Sequence, residues 1–154
     1  MTPADVVARL VARGETVATC ESLTGGLVLA ELTTVAGSSA VVRGGLVTYA
    51  TDLKTSLAGV PAELIAENGV VSLPVAEAMA RGARVTCGAT WGLGLTGVAG
   101  PDAVDGLPPG TVCIAVAGPD GVTSVQERFD GDRAAVRRRS VERSLQLLAG
   151  VATG

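Results

Sequence analysis

Ser22, Tyr49 and Lys54 are the residues of this chain whose types and surroundings most readily suggest chemistry, because the sequence contains no histidine. No Ser-His-Asp or Cys-His arrangement can be built, and imidazole ligation of a metal is excluded. Acid–base work near neutral pH therefore falls to Lys, Tyr, Asp, Glu, Cys or the amino terminus. A lysine desolvated beside a serine can act as its base, as in Ser-Lys hydrolases. Tyr49 could relay a proton or orient that lysine. The competing reading has Tyr49 packing its ring at an edge and Lys54 facing solvent.

Ser22 lies in Glu21-Ser22-Leu23-Thr24-Gly25-Gly26, just before an expected helix start. Backbone N–H groups at such a terminus stabilise an oxyanion or bind phosphate, and Gly25 and Gly26 allow close ligand approach. Ser22 or Thr24 serving only as a helix cap is the plainer alternative. A third segment, Thr96-Gly97-Val98-Ala99-Gly100-Pro101, is glycine-dense enough for an anion nest. It lacks the Gly-Lys-Ser/Thr ending of a P-loop, and a wide turn after a strand would explain it equally well.

These segments need elements to carry them. Thr2-Pro3 opens a helix that runs to Gly14, and Thr16 to Cys20 reads as a strand. A helix follows to about Val35, then a strand from Gly44 to Ala50. Short helices are expected at Thr51 to Leu57 and Ala62 to Glu67, and a longer one from Ser72 to Val85. Trp91 to Thr96 is the next strand. Thr111 to Ala117 and Val122 to Phe129 form an antiparallel hairpin, because only Gly118-Pro119-Asp120-Gly121 joins them. A last helix starts at Gly131-Asp132. Alternating helices and strands with one hairpin predict a single α/β domain over residues 1–154. Its architecture is a three-layer α/β/α sandwich with a mixed, mostly parallel sheet and one antiparallel strand. Open sheets of this kind bind ligands beyond the carboxyl ends of their parallel strands, where all three segments fall.

Composition narrows the partners. Hydrophobic residues make up 47 % and aromatic residues only 2 %, so the core must be aliphatic. A net charge of −3 gives no general attraction to phosphate backbones, and nucleic acid is not expected as a partner. Arg137, Arg138, Arg139 and Arg143 are interleaved with Glu142 and read as a solvated helix face. No apolar run approaches membrane-spanning length, and Met1 to Gly14 has no apolar signal segment. Cys20, Cys87 and Cys113 are odd in number and form no C-x-x-C pair, which points to reduced thiols and a cytoplasmic location.

Taken together, the ordered motifs resemble the C-terminal domain family of the competence-damage-inducible protein CinA, the nicotinamide-nucleotide amidases. The resemblance runs from about Glu15 to Gly150. Its signposts are Glu21-Ser22 with Thr24-Gly25-Gly26, Gly44-Gly45, Tyr49 through Lys54, Gly59-Val60-Pro61, Thr96 through Pro101, Gly110-Thr111 and Gly131-Asp132-Arg133. It implies hydrolysis of nicotinamide mononucleotide to nicotinate mononucleotide and ammonia, with the serine nucleophile on Ser22 and the tyrosine and lysine on Tyr49 and Lys54. No metal or cofactor enters that scheme, and the expected assembly is a homo-oligomer, a dimer first. Thr24, Gly25, Gly26, Thr96, Gly97 and Gly100 are the expected substrate-binding residues. Arg133 and Arg137, one helical turn apart, could grip the substrate phosphate together, or else pair with carboxylates such as Asp130. Many relatives carry this domain behind a molybdopterin-binding-like one, so a stand-alone amidase is the expectation here. Two positions depart from the family pattern: Leu23 stands where a cysteine is usual, and Asp102-Ala103 where the loop usually continues with two glycines.

Overall fold

The computed structural model describes residues 1–152. Helix α1 (Pro3–Arg13) begins in a capping box, in which Thr2 Oγ1 accepts from the Asp5 amide while Asp5 accepts from the Thr2 amide. It ends at Gly14 in the left-handed conformation. Then follow β1 (Val17–Glu21), α2 (Leu27–Thr33), a single 3-10 turn at Ser38–Ala40, and β2 (Val42–Val47). Helices α3 (Thr51–Ala58), α4 (Ala62–Asn68) and α5 (Leu73–Cys87) lead to β3 (Trp91–Gly97). The hairpin β4 (Thr111–Gly118) and β5 (Gly121–Arg128) precedes the last helix, α6 (Arg133–Val151).

The five strands form one sheet in the order β2-β1-β3-β4-β5. β1 pairs in parallel with β2 and β3, and β4 is antiparallel to both of its neighbours. Four strands thus run one way and only β4 runs against them, the mixed sheet with one antiparallel strand that the pattern of elements predicts. Helices cover both faces. Val6, Leu10, Val28, Leu32, Val136 and Leu148 of α1, α2 and α6 pack on one side against Leu93, Leu95 and Ile114. Val75, Met79 and Ala83 of α5 pack on the other side with Ala18 and Cys20.

The aliphatic core is divided by size. Along β3 the leucines face α1, α2 and α6, whereas Gly92 and Gly94 face α5. A Cβ on Gly94 would run into the Ala76 carbonyl, and one on Gly92 into that of Ala80. These two glycines, with Ala115 and Ala117 of β4, let α5 lie close against the sheet. Period-two alternation of large and small residues therefore sets the spacing of the two helical layers.

Strand β2 lies earlier than the sequence suggests: it spans Val42–Val47 rather than Gly44 to Ala50. The reason lies in its partner. β1 ends at Glu21, opposite Val47, and the last bond of the pair runs from the Thr48 amide to the Glu21 carbonyl at 2.9 Å. With nothing left to pair, Tyr49 belongs to the loop rather than to the strand. Leu95 also lies opposite Glu21. The parallel strands thus end at one level, and Ser22, Tyr49 and Gly97–Pro101 emerge at the same edge.

Candidate active site

Ser22 is the first residue beyond β1, and its amide donates to the Leu95 carbonyl of the neighbouring strand at 3.0 Å. The residue before it, Glu21, is fully buried. Its carboxylate accepts from the amides of Val28 (2.9 Å) and Leu29 (3.1 Å) in the first turn of α2, and from Thr19 Oγ1 at 3.0 Å. An acidic side chain at a helix N-terminus satisfies donors that have no partner inside the helix. This corrects one expectation: those α2 amides are occupied by the protein's own carboxylate and are not free for a substrate anion. Nor does Ser22 or Thr24 cap the helix, since the cap position is Gly26 and receives no side-chain bond.

Lys54 sits in the first half of α3 and folds back under the strand ends, where it is only 1 % exposed. Its Nζ donates to Ser22 Oγ at 3.0 Å and to the Thr48 carbonyl at 2.6 Å, with the Tyr49 carbonyl at 3.5 Å. No carboxylate forms an ion pair with it among the described residues. Burial of an ammonium without an opposite charge favours the neutral amine, so the Lys54 pKa is lowered from the usual lysine value. A neutral amine has two N–H groups and one lone pair. In the neutral form, with its two N–H groups on the Thr48 and Tyr49 carbonyls, the amine would turn its lone pair to Ser22 Oγ instead of donating to it. Cys20 lies nearby, its Sγ 3.4 Å from Thr48 Oγ1, but burial pushes its thiol up to about 11 and keeps it protonated.

Ser22 and Lys54 open into a cleft of about 420 Å³. Tyr49, Thr96, Gly97, Gly100 and Arg133 also line it, and Val70, Val71 and Val98 supply an apolar wall. Thr96 Oγ1 donates to the Val70 carbonyl at 2.8 Å, tying that wall to the end of β3. At the mouth, the Arg133 guanidinium donates to the Gly100 carbonyl at 2.7 Å and to the Tyr49 hydroxyl at 3.1 Å. The Tyr49 phenol is 63 % exposed and contacts Arg133 rather than Lys54. Its part in orienting the lysine is played by its backbone carbonyl.

Arg137 lies elsewhere. Its Nε and Nη2 donate to the carbonyls of Leu23 (2.9 Å) and Thr24 (3.3 Å), so it braces the Ser22 turn from outside the cleft. The two arginines diverge to different loops, and neither forms an ion pair with Asp130 among the described residues. Thr24, Gly25 and Gly26 do not line the cleft; Thr24 is fully buried, and its hydroxyl has no hydrogen-bond partner among the described residues. Glu21, the Thr48 carbonyl and the valine wall carry roles that the sequence reading did not assign. A glutamate ending an otherwise uncharged buried strand was the available signal, because acidic side chains are buried only when partnered.

A larger groove of about 560 Å³ runs between the start of α1, α2 and α6, past Met1, Leu27, Arg138 and Val141. It contains neither the serine nor the buried lysine, so the smaller cleft is the candidate site. Among the described residues no group of three His, Cys, Asp or Glu side chains is placed to hold a metal ion, and no helix is long and apolar enough to cross a membrane.

Fold and site together define an α/β/α protein with a buried serine–lysine pair at the carboxyl edge of its parallel strands. The family model for the CinA C-terminal domain matches residues 2–152, and the chain belongs to that family. A CinA-like protein of Anaeromyxobacter dehalogenans is 54 % identical over 144 residues, covering 93 % of this chain and 35 % of the relative. The chain thus spans about a third of the length of the curated relatives it matches. Among solved structures, a CinA superfamily protein of Klebsiella pneumoniae superposes with a TM-score of 0.95 at 31 % identity, covering 97 % of this chain and 94 % of that one. A competence/damage inducible protein of Agrobacterium tumefaciens gives 0.89 at 35 % identity, covering 96 % and 94 %.

Proposed function

We propose that this chain hydrolyses the carboxamide of nicotinamide mononucleotide, giving nicotinate mononucleotide and ammonia. The observation that carries the reading is the 3.0 Å contact between Ser22 Oγ and a lysine buried without a counter-charge. A planar carboxamide is a poor electrophile, so its hydrolysis needs a nucleophile, a base and oxyanion donors. Ser22 attacks the carbonyl carbon while neutral Lys54 takes its proton. The resulting ammonium gives that proton to the amide nitrogen, which leaves as ammonia. Water then attacks the acyl-enzyme with Lys54 again as base, and the proton it takes returns to Ser22 Oγ as the ester bond breaks.

The oxyanion donors are backbone amides. Those of Leu23, Ala99 and Gly100 belong to cleft residues and donate to no acceptor among the described residues. One such donor is worth about 3 kcal/mol of transition-state stabilisation in known cases. The pyridine ring rests on the wall of Val70, Val71 and Val98, and Arg133 holds the phosphate at the cleft mouth.

The test is ammonia release from nicotinamide mononucleotide by the purified chain, with Ser22→Ala alongside. Release by the unaltered chain that disappears in the variant supports the reading. Ligand binding without release in either would leave a nucleotide-binding module with an impaired site.

A further inference from the structure

The cleft presents two opposite charges at its rim that do not neutralise one another. Asp102 follows Gly100-Pro101 on the loop leaving β3, is exposed, and lines the same cleft as Arg133. Arg133 is committed to the Gly100 carbonyl and the Tyr49 hydroxyl. Asp102 has neither a hydrogen bond nor an ion pair among the described residues. A carboxylate two residues from a carbonyl that a guanidinium already grips would gain by swinging onto that guanidinium. Instead the two charges are offered separately to whatever enters.

The loop runs in a definite order. From Thr96 and Gly97 at the strand end, beside Ser22, it passes Val98, Ala99 and Gly100 before reaching Asp102. A ligand with its reacting carboxamide at Ser22 and its ring along Val98 meets Asp102 further out. An N-substituted nicotinamide carries its positive charge on the ring nitrogen, meta to the carboxamide carbon, with any phosphate beyond it. A cleft holding one free carboxylate and one guanidinium complements such a zwitterion.

We propose that Asp102 is a specificity-determining residue, its carboxylate selecting ligands whose pyridine ring is cationic over uncharged rings of the same shape. This rests on the amidase reading for the orientation of the ligand. It is an electrostatic preference in a partly open site, and it weakens as salt is added.

The experiment compares nicotinamide mononucleotide with its 1,4-dihydro form, which keeps the carboxamide, ribose and phosphate but has a neutral ring. Binding of both is measured by calorimetry on the full chain carrying Ser22→Ala, with and without Asp102→Asn. The expected result is that Asp102→Asn weakens the cationic ligand about threefold, the size of one partly exposed charge pair, and leaves the neutral one unchanged. The difference should shrink between low and high salt. An equal loss on both ligands overturns the proposal, because Asp102 would then be holding the ribose or the loop. No loss on either, or no binding of either, overturns it too. Failure of the amidase reading looks different: the unaltered chain would release no ammonia while Ser22→Ala still distinguished the two ring states through Asp102.

Discussion

The amine of Lys54 lies 2.6 Å from the Thr48 carbonyl, closer than its 3.0 Å contact with Ser22. The shorter bond fixes the direction of the longer one. Thr48 is the residue at which β2 stops pairing with β1, so the sheet itself sets where the lysine nitrogen sits. The lysine's burial then decides its protonation, and protonation decides whether it can receive the serine proton.

That chain of causes predicts a pH dependence. Lys54 titrates below its usual value of 10.5, so the rate should rise with pH through the lowered pKa and level off before that value. Lys54→Met should lose about 100- to 10,000-fold at neutral pH, the range a positioned base supplies, with a residual rate that climbs with hydroxide. Stability should respond in a matching sense. Between the lowered and the ordinary pKa the unfolded chain binds the extra proton, so the lysine's contribution rises with pH across that window. Thermal midpoints should therefore favour Lys54→Met most at low pH, the advantage narrowing towards pH 10.5. A variant as active as the parent at neutral pH would return Lys54 to a packing role.

Ser22→Ala removes only a hydroxyl at a residue that is 9 % exposed. Its melting temperature should stay within about 2 °C of the parent, since the change touches no core packing. Ammonia release should fall by on the order of a thousandfold or more, as expected for loss of a nucleophile. Mass spectrometry with a slow carboxamide substrate should find an acyl adduct on the parent and none on the variant. Near-parental turnover would remove Ser22 from the mechanism.

Glu21 supports the turn that carries Ser22 from behind, through the first amides of α2. Glu21→Gln keeps the shape but cannot accept from both α2 amides and from Thr19, and it replaces charge-assisted bonds with neutral ones. The expected cost is about 2 kcal/mol in urea unfolding, at an unchanged slope. The loss should appear in kcat as well, because the carboxylate anchors the helix that follows the Ser22 turn. Unaltered stability would mean that the buried carboxylate contributes nothing net to holding α2.

What could be read from the sequence was whatever depends on period and spacing. Leucines alternating with glycines in Trp91–Gly97 mark a strand buried on both faces, and the tight Pro119-Asp120 link marks the hairpin. Segments at strand ends were likewise legible as site material, since topology alone carries them to one edge. Direction was not legible. Arg133 and Arg137 are one turn apart on a helix, yet one reaches the cleft mouth and the other reaches behind it to the Leu23 and Thr24 carbonyls. Sequence spacing places two side chains on one helix face; only the loops that pass that face decide what each one meets. Glu21 was legible only as a buried acid in need of partners; which partners it finds was not, because they are amides, which no residue type announces.

The divergence of the two arginines yields the most discriminating comparison. Arg133 touches the Tyr49 phenol and the Gly100 carbonyl at the cleft mouth and belongs to its lining. If it holds the phosphate, Arg133→Ala should lower kcat/KM for nicotinamide mononucleotide about 10- to 100-fold, equivalent to about 1.5–3 kcal/mol for a bond to a charged group. Nicotinamide riboside, which has no phosphate, should lose much less. Arg137 is not among the residues that line the cleft, but it ties Leu23 and Thr24 to α6. Arg137→Ala should therefore lower kcat for both substrates by a similar factor and reduce stability by about 1 kcal/mol, because it loosens the turn that carries Ser22. Measuring both variants on both substrates separates a group that binds from a group that positions. Equal losses on the two substrates in Arg133→Ala would make that arginine a brace as well, and the phosphate would then have to rest on the amides of the Gly97–Gly100 loop.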